Sequence, residues 1–466
     1  MNKYVSAIAY TFFANIINAV VMAFATFFLP NKMGVAEYGY IQLYLFYTNY
    51  TGFLHLGWAD GIYLKYGGIF YDKIDKRVFS GQFWLYSIIE LALGILVCVV
   101  GAMAVPGQKK AVVFAFTGLS ICIYLPRTLL QYILQSTNRV KEYSAILIID
   151  RLCYLVLILI VFCEEFLDFK IILAADIIAK TISLLLALYY CRDIIFVIPD
   201  SMCNTLREAK ENIISGSRLM FANVTSMLII GIVRLAIENK WDIETFGKIS
   251  LTMSVSNLFM ILINAVAMVM FPALRRSKQG NLPKIYIRIR TVLVIPLLGM
   301  LIFYYPMEQI LSFWLPKYID GLQYMAILFP ICLFECKMSL LVSTYMKTLR
   351  KERWLMQVNV STLILSIILT VVNVYILENL DLTVISIVIL LGFRSVISEL
   401  LISNELNITL YRNNAEEIIL SAIFIGASWF IQGYMGVVVY LVCYLGYLML
   451  HIEHIKSIVE EIKIYR

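Results

Sequence analysis

Apolar residues in this chain run in long stretches of about twenty, separated by short breaks that hold charge, proline or glycine. Cutting at those breaks predicts helices near 4–29, 38–64, 81–105, 111–133, 144–163, 170–192 and 213–237. A second series follows near 246–271, 291–314, 320–345, 355–377, 383–404, 418–432 and 437–452. A stretch of that length crosses roughly 30 Å of hydrocarbon as a helix. Strands of a membrane barrel would alternate apolar and polar positions, whereas these runs are apolar throughout. The pattern therefore predicts an all-α polytopic membrane protein with about fourteen transmembrane helices. The short segment at 418–432 leaves twelve crossings as the alternative. The first run, Tyr4 to Leu29, is too long for the apolar region of a signal peptide and lacks a small-residue cleavage site, so it reads as a retained first helix.

Composition sharpens this into an exclusion. Hydrophobic residues make up 61% of the 466 and charged residues 15%, against about 25% charge in a soluble domain. The mean hydropathy is +0.84. No water-soluble core hides that much apolar surface, and no outer connection is long enough to fold into a catalytic domain. The net charge of +7 is mainly a topology signal and gives no indication of nucleic-acid binding. With the N-terminus inside, the inner loops hold most of the basic residues, including six from Arg275 to Arg290 and four from Lys347 to Arg353. Both termini are thus expected in the cytoplasm.

Metal, disulfide and cofactor chemistry find little support. The nine cysteines are scattered, mostly within apolar runs, and resemble small packing residues. Cys332 and Cys336 share a helix face, but no histidine or further cysteine stands at metal-ligand spacing. His451 and His454 flank Glu453 in an amphipathic tail, and His55 is alone in an apolar segment. No cofactor is expected.

The chain also matches itself at an offset of 208 residues. Phe13, Ala14 and Asn15 recur as Phe221, Ala222 and Asn223, and Asn31 and Lys32 as Asn239 and Lys240. Gly39, Ile41, Leu43 and Asn49 recur as Gly247, Ile249, Leu251 and Asn257, giving nine identities over 37 ungapped positions. Later, Arg139 and Lys347 fall at the same inner loop. The expected architecture is two parallel six-helix bundles, 1–207 and 208–410, followed by two extra helices and a cytoplasmic tail at 411–466. Two similar halves are typical of alternating-access transporters.

Three stretches carry a family resemblance: LGWADGIYLKYGG at 56–68, LPRTLLQYILQSTNRVKEY at 125–143 and FGKISLTMSVSNLFMILINAVAMVMFPALRR at 246–276. They resemble the polysaccharide flippases of the Wzx type, within the multidrug and oligosaccharidyl-lipid exporter superfamily, over the whole chain. The resemblance implies a central cavity that opens alternately to the two sides of a bacterial cytoplasmic membrane. It implies a polyprenyl-diphosphate-linked oligosaccharide as substrate, bound for O-antigen, capsule or another envelope polysaccharide. The implied partners are the lipid bilayer and other polysaccharide-assembly membrane proteins.

Charge at membrane depth is costly, so intramembrane ionisable residues are functional candidates. Lys65 and Arg218 lie near cytoplasmic ends and can snorkel. Lys180 stands four residues after Asp176, and Glu238 four after Arg234, as neutralising pairs do. Arg127, Arg151 and Arg394 lack a same-helix partner three or four residues away and are the foremost candidates to grip a diphosphate, with Lys180 and Arg234 behind them. Asp60, Glu90, Glu335 and Glu399 have no clear neutralising cation on their own helix and are candidates for ion coupling, or for ion pairs between helices. The repeat offset sets Glu335 opposite Arg127. Two other functions compete: an organic-cation antiporter of the same superfamily, which should favour an acidic cavity, and a membrane-embedded glycan polymerase or acyltransferase, which needs an outer loop or a buried catalytic histidine.

Overall fold

A computed structural model describes residues 3–162, 167–275, 282–431 and 433–452, with side chains described from Tyr10 onward except at 259 and 261–275. Arg276, Lys278, Glu453 and His454 lie outside the described residues. Helices account for the regular structure: α1 (Lys3–Lys32), α2 (Val35–Tyr50), α3 (Trp58–Tyr66), α4 (Lys76–Ala104), α5 (Gln108–Ser136), α6 (Val140–Phe162), α7 (Phe169–Tyr190), the single turn α8 (Arg192–Ile195), α9 (Met202–Lys240) and α10 (Ile243–Arg275). They continue as α11 (Leu282–Met300), α12 (Tyr304–Trp314), the short α13 (Ile319–Leu322), α14 (Met325–Leu328), α15 (Ile331–Cys336) and α16 (Ser343–Thr348), then α17 (Glu352–Thr370), α18 (Leu380–Glu405), α19 (Tyr411–Phe430) and α20 (Tyr434–Leu450).

Every expected span falls on a helix or a broken run of helices, and ten runs among the described residues are long and apolar enough to cross a membrane. Several spans are interrupted, the one near 291–314 by a 3₁₀ turn, Leu301–Phe303, and the one near 355–377 by a π-helical turn, Val371–Ile376. The stretch near 38–64 divides at a 3₁₀ turn (Thr51–Phe53) and at Gly57, whose φ of 84° a residue with a Cβ rarely adopts. The stretch near 320–345 is a chain of short helices with a π-helical turn, Lys337–Val342, between α15 and α16. At the last two expected spans α19 runs for twenty residues and α20, a shorter apolar helix, for seventeen; neither is among those ten.

The helix ends follow local chemistry. Asp75 caps α4 by accepting from the Arg77 and Val78 amides at 3.1 and 3.2 Å, Asp168 caps α7, and Asn379 caps α18. Between α9 and α10, outside the spans, Asp242 accepts from the Thr245 amide at 2.6 Å, which holds its carboxyl below the usual carboxylate range. Helix faces meet through small residues. A Cβ on Gly94 would collide with Cys122 and the Gly118 carbonyl, and one on Gly118 with Cys98 and the Gly94 carbonyl, so α4 and α5 pack backbone to backbone. The outer face of α4 exposes Ile88, Leu91, Ile95, Leu96 and Val99, a band that suits hydrocarbon as its solvent.

The chain forms two compact units, Met1–Val224 and Thr225–Arg466, with the boundary inside α9. The first has a core of Trp58, Phe79, Tyr86, Leu125, Leu129 and Ile133. The second buries Tyr286, Met338, Leu341, Tyr345 and Ile402 together.

Candidate functional site: buried charge networks

Within the first unit, the middle of the bundle holds a connected set of charges. Arg127 on α5 is 2% exposed, and its Nη1 lies 3.0 Å from Asp150 Oδ1 on α6 and donates to Ser183 Oγ on α7 at 2.7 Å. Its guanidinium stacks 4.9 Å from the Tyr124 ring, while Nε has no hydrogen-bond partner among the described residues. Lys180 Nζ lies 2.6 Å from Asp176 Oδ2, donates to Ser120 Oγ at 3.0 Å, and faces the same Tyr124 ring at 5.6 Å. Tyr44 on α2 completes the set by donating to Asp176 Oδ2 at 2.5 Å. Arg151 is held more loosely: its Nε is 3.5 Å from Asp150 Oδ2, and its side chain keeps 28% exposure. Three cations face two carboxylates here, so the network carries a surplus positive charge, and Arg151 is its most accessible member.

Lys180 and Asp176 thus form the same-helix pair that their spacing suggests. Arg127 finds its acid on a neighbouring helix. The sequence offers Asp150, Glu335 and Glu399 alike as acids for the buried arginines, and the geometry gives Asp150 to Arg127. Glu335 pairs within its own unit, where Arg394 on α18 takes it.

Within the second unit, Arg394 uses all three of its donor groups. Nη1 lies 3.1 Å from Glu335 Oε1, Nε donates to Asn359 Oδ1 on α17 at 2.9 Å, and Nη2 donates to Ser226 Oγ on α9 at 2.7 Å. Arg234 donates to Ser250 Oγ at 2.9 Å and stacks near Phe246. Glu399 is the acid of a separate cluster. Arg290 Nε donates to its Oε1 at 2.8 Å, Lys337 Nζ to its Oε2 at 2.7 Å, and the Tyr286 hydroxyl to Oε1 at 3.0 Å. Lys337 also donates to Glu417 Oε2 at 2.6 Å and Asn414 Oδ1 at 2.9 Å, and Arg290 reaches Glu417 as well. Two cations and two carboxylates, each at most 3% exposed, balance one another and tie α11, the π-helical turn, α18 and α19 together.

Three members of this cluster stand outside the sequence candidates. Arg290 reads as the end of a basic loop and Glu417 as the polar lead into a span. Lys337, a lone lysine in an apolar run, carried a signal of its own. Asp60 and Glu90 complete the candidate acids. Asp60 lies 3.9 Å from His55 Nε2, and Glu90, 1% exposed, has a carboxyl oxygen with no hydrogen-bond partner among the described residues. No group of three or more metal-ligating side chains occurs among the described residues.

No family model matches the sequence, and no curated protein does. Solved membrane transporters share its fold. A structure of lipid II flippase MurJ in an inward closed conformation superposes with a TM-score of 0.67 at 11% identity, over 97% of this chain and 100% of that one. An inward-facing multidrug resistance MATE family transporter of the MOP superfamily gives 0.59 at 10% identity, over 84% and 94%. A MATE structure in complex with MaD3S gives 0.54 at 12%, over 86% and 96%. The chain has the all-helical fold of this group of transporters.

Proposed function

We propose that this chain is a flippase that moves polyprenyl-diphosphate-linked oligosaccharides from the inner to the outer leaflet of a bacterial cytoplasmic membrane, by alternating access, for envelope polysaccharide synthesis. The observation that carries the reading is the surplus cation of the first unit's network. A diphosphate cannot enter hydrocarbon unaided, because each unpaired charge there costs several kcal/mol. A transporter that admits one needs fixed positive charge at depth, and Arg127, Arg151 and Lys180 outnumber Asp150 and Asp176. Arg151, the cation held most loosely by a carboxylate, is the one best placed to engage phosphate oxygens in bidentate fashion. Arg127 and Arg394, committed to carboxylates, would be released only as helices move.

The likeness in fold to a lipid II flippase supports a lipid-linked cargo. Helix boundaries support the duplication of 1–207 as 208–410: α1 ends at Lys32 and α9 at Lys240, α2 begins at Val35 and α10 at Ile243, all at the offset of 208. With 411–466 adding two helices and a tail, the proposal has fourteen crossings and both termini in the cytoplasm. A second reading, export of organic cations, draws on Glu90, a deeply buried carboxyl without an ion pair among the described residues. The test is accumulation in cells. Loss of a flippase traps completed lipid-linked units on the inner leaflet, loss of a polymerase leaves single exported units, and loss of a cation exporter changes neither.

A further inference from the structure

The segment STNRVKEY, part of a stretch that carries the family resemblance, has no place in the buried networks. It folds into the wall of an open pocket of about 910 Å³ within the first unit, between the ends of α5 and α7 and the turn after α3. That volume lies in the range of small-molecule sites, roughly 300–1,000 Å³. Phe70 and Tyr189 line it with 67% and 58% of their surfaces exposed.

We propose that this pocket receives the saccharide head of the lipid-linked substrate at the cytoplasmic face, before the diphosphate enters the membrane network. The inference rests on the flippase reading above and on the orientation proposed there. The chemistry of the lining selects the ligand. Arg139, Lys141 and Arg192 are matched by Asp72, Glu142 and Asp193, so the wall has no formal net charge and gives no preference to a bare anionic head group. What it presents is exposed aromatic rings beside planar carboxylate, amide and guanidinium groups. Sugar rings stack their C–H faces on aromatics, and their neighbouring hydroxyls bond in pairs to such planar groups.

The polar groups are also held in place. Arg139 donates twice to Glu142 Oε1, at 2.9 and 2.7 Å, and once to the Tyr190 carbonyl at 3.2 Å, with its guanidinium 4.4 Å from the Tyr71 ring. Tyr71 in turn donates to Asp193 Oδ1 at 2.8 Å. Asn138 stands in the left-handed region at φ 65°, which fixes the backbone that carries its amide. A lining fixed before binding loses little freedom when a flexible glycan arrives.

Photo-crosslinking in cells that make the substrate tests this without knowing the sugar. A benzoylphenylalanine replaces Phe70 or Tyr189, and Phe196, 65% exposed and outside the pocket, is the control. Mass spectrometry of the adducts should show polyprenyl diphosphate with its oligosaccharide at 70 and 189 and not at 196. Phospholipid, protein or soluble glycan at 70 and 189, or no adduct there, overturns the proposal. In proteoliposomes the double variant Phe70→Ala, Tyr189→Ala should raise the lipid-linked saccharide concentration for half-maximal flipping about tenfold, with maximal rate unchanged. Wild-type protein that flips while the variant matches it contradicts this pocket alone. Wild-type protein that does not flip contradicts the function itself.

Discussion

Arg127 on α5 and Asp150 on α6 face each other at 3.0 Å, both almost without solvent exposure. Removing Arg127 leaves the buried Asp150 carboxylate with only the looser Arg151 as counter-ion, and breaking a buried pair costs up to about 3–5 kcal/mol. Arg127→Ala should therefore lower the abundance of folded protein and its melting temperature in detergent. Adding Asp150→Asn should recover part of both. A double-mutant cycle with zero coupling would remove the pair from the account.

Arg151 shares Asp150 but sits farther away and more open. Arg151→Ala should keep normal abundance and melting temperature while flipping falls at least tenfold. Arg151→Lys, which keeps charge but loses the bidentate fork, should fall between the two. Abundance by immunoblot and initial flipping rate in proteoliposomes check this together. A stable Arg151→Ala protein with full activity would take the diphosphate grip away from this residue.

The cluster of Arg290, Lys337, Glu399 and Glu417 is neutral only as a set. Lys337→Met alone should destabilise the second unit by about 3 kcal/mol or more, because two carboxylates then share one arginine. Lys337→Met with Glu417→Gln should recover much of that loss. Thermal unfolding in detergent reads the difference. If single and double variants melt alike, the cluster does not hold α19 to the bundle.

What could be read from the sequence divides by physical cause. Apolar run length located α4, α5, α6, α7 and α18, since a span announces itself by composition along one helix. The rarity of charge in those runs picked out Arg127, Lys180 and Arg394. The partners across helices, Asp150 for Arg127 and Asn359 and Ser226 for Arg394, depend on which faces meet, and one sequence holds no distances between helices. The breaks were hidden for a related reason. The turn at Gly57 and the π-helical turn at Lys337 lie inside runs that are apolar on average despite a few polar residues, so hydropathy passes over them.

Orientation is tested by reporter fusions. Fusions after Asp168, Lys317 and Asp381 should report the outside, and those after Lys210, Lys278 and Arg353 the cytoplasm. A reversed pattern around Arg353 would invert the pocket's proposed face as well as both termini.

The most direct test of the central claim is flipping itself. Purified protein reconstituted in liposomes, with a fluorescent polyprenyl-diphosphate oligosaccharide in one leaflet, should make that lipid accessible to a quencher in the other leaflet faster than empty liposomes do. The account predicts that Arg151→Ala abolishes the gain while leaving the reconstituted amount unchanged. Wild-type liposomes that match empty ones for this lipid yet export an organic cation would contradict it.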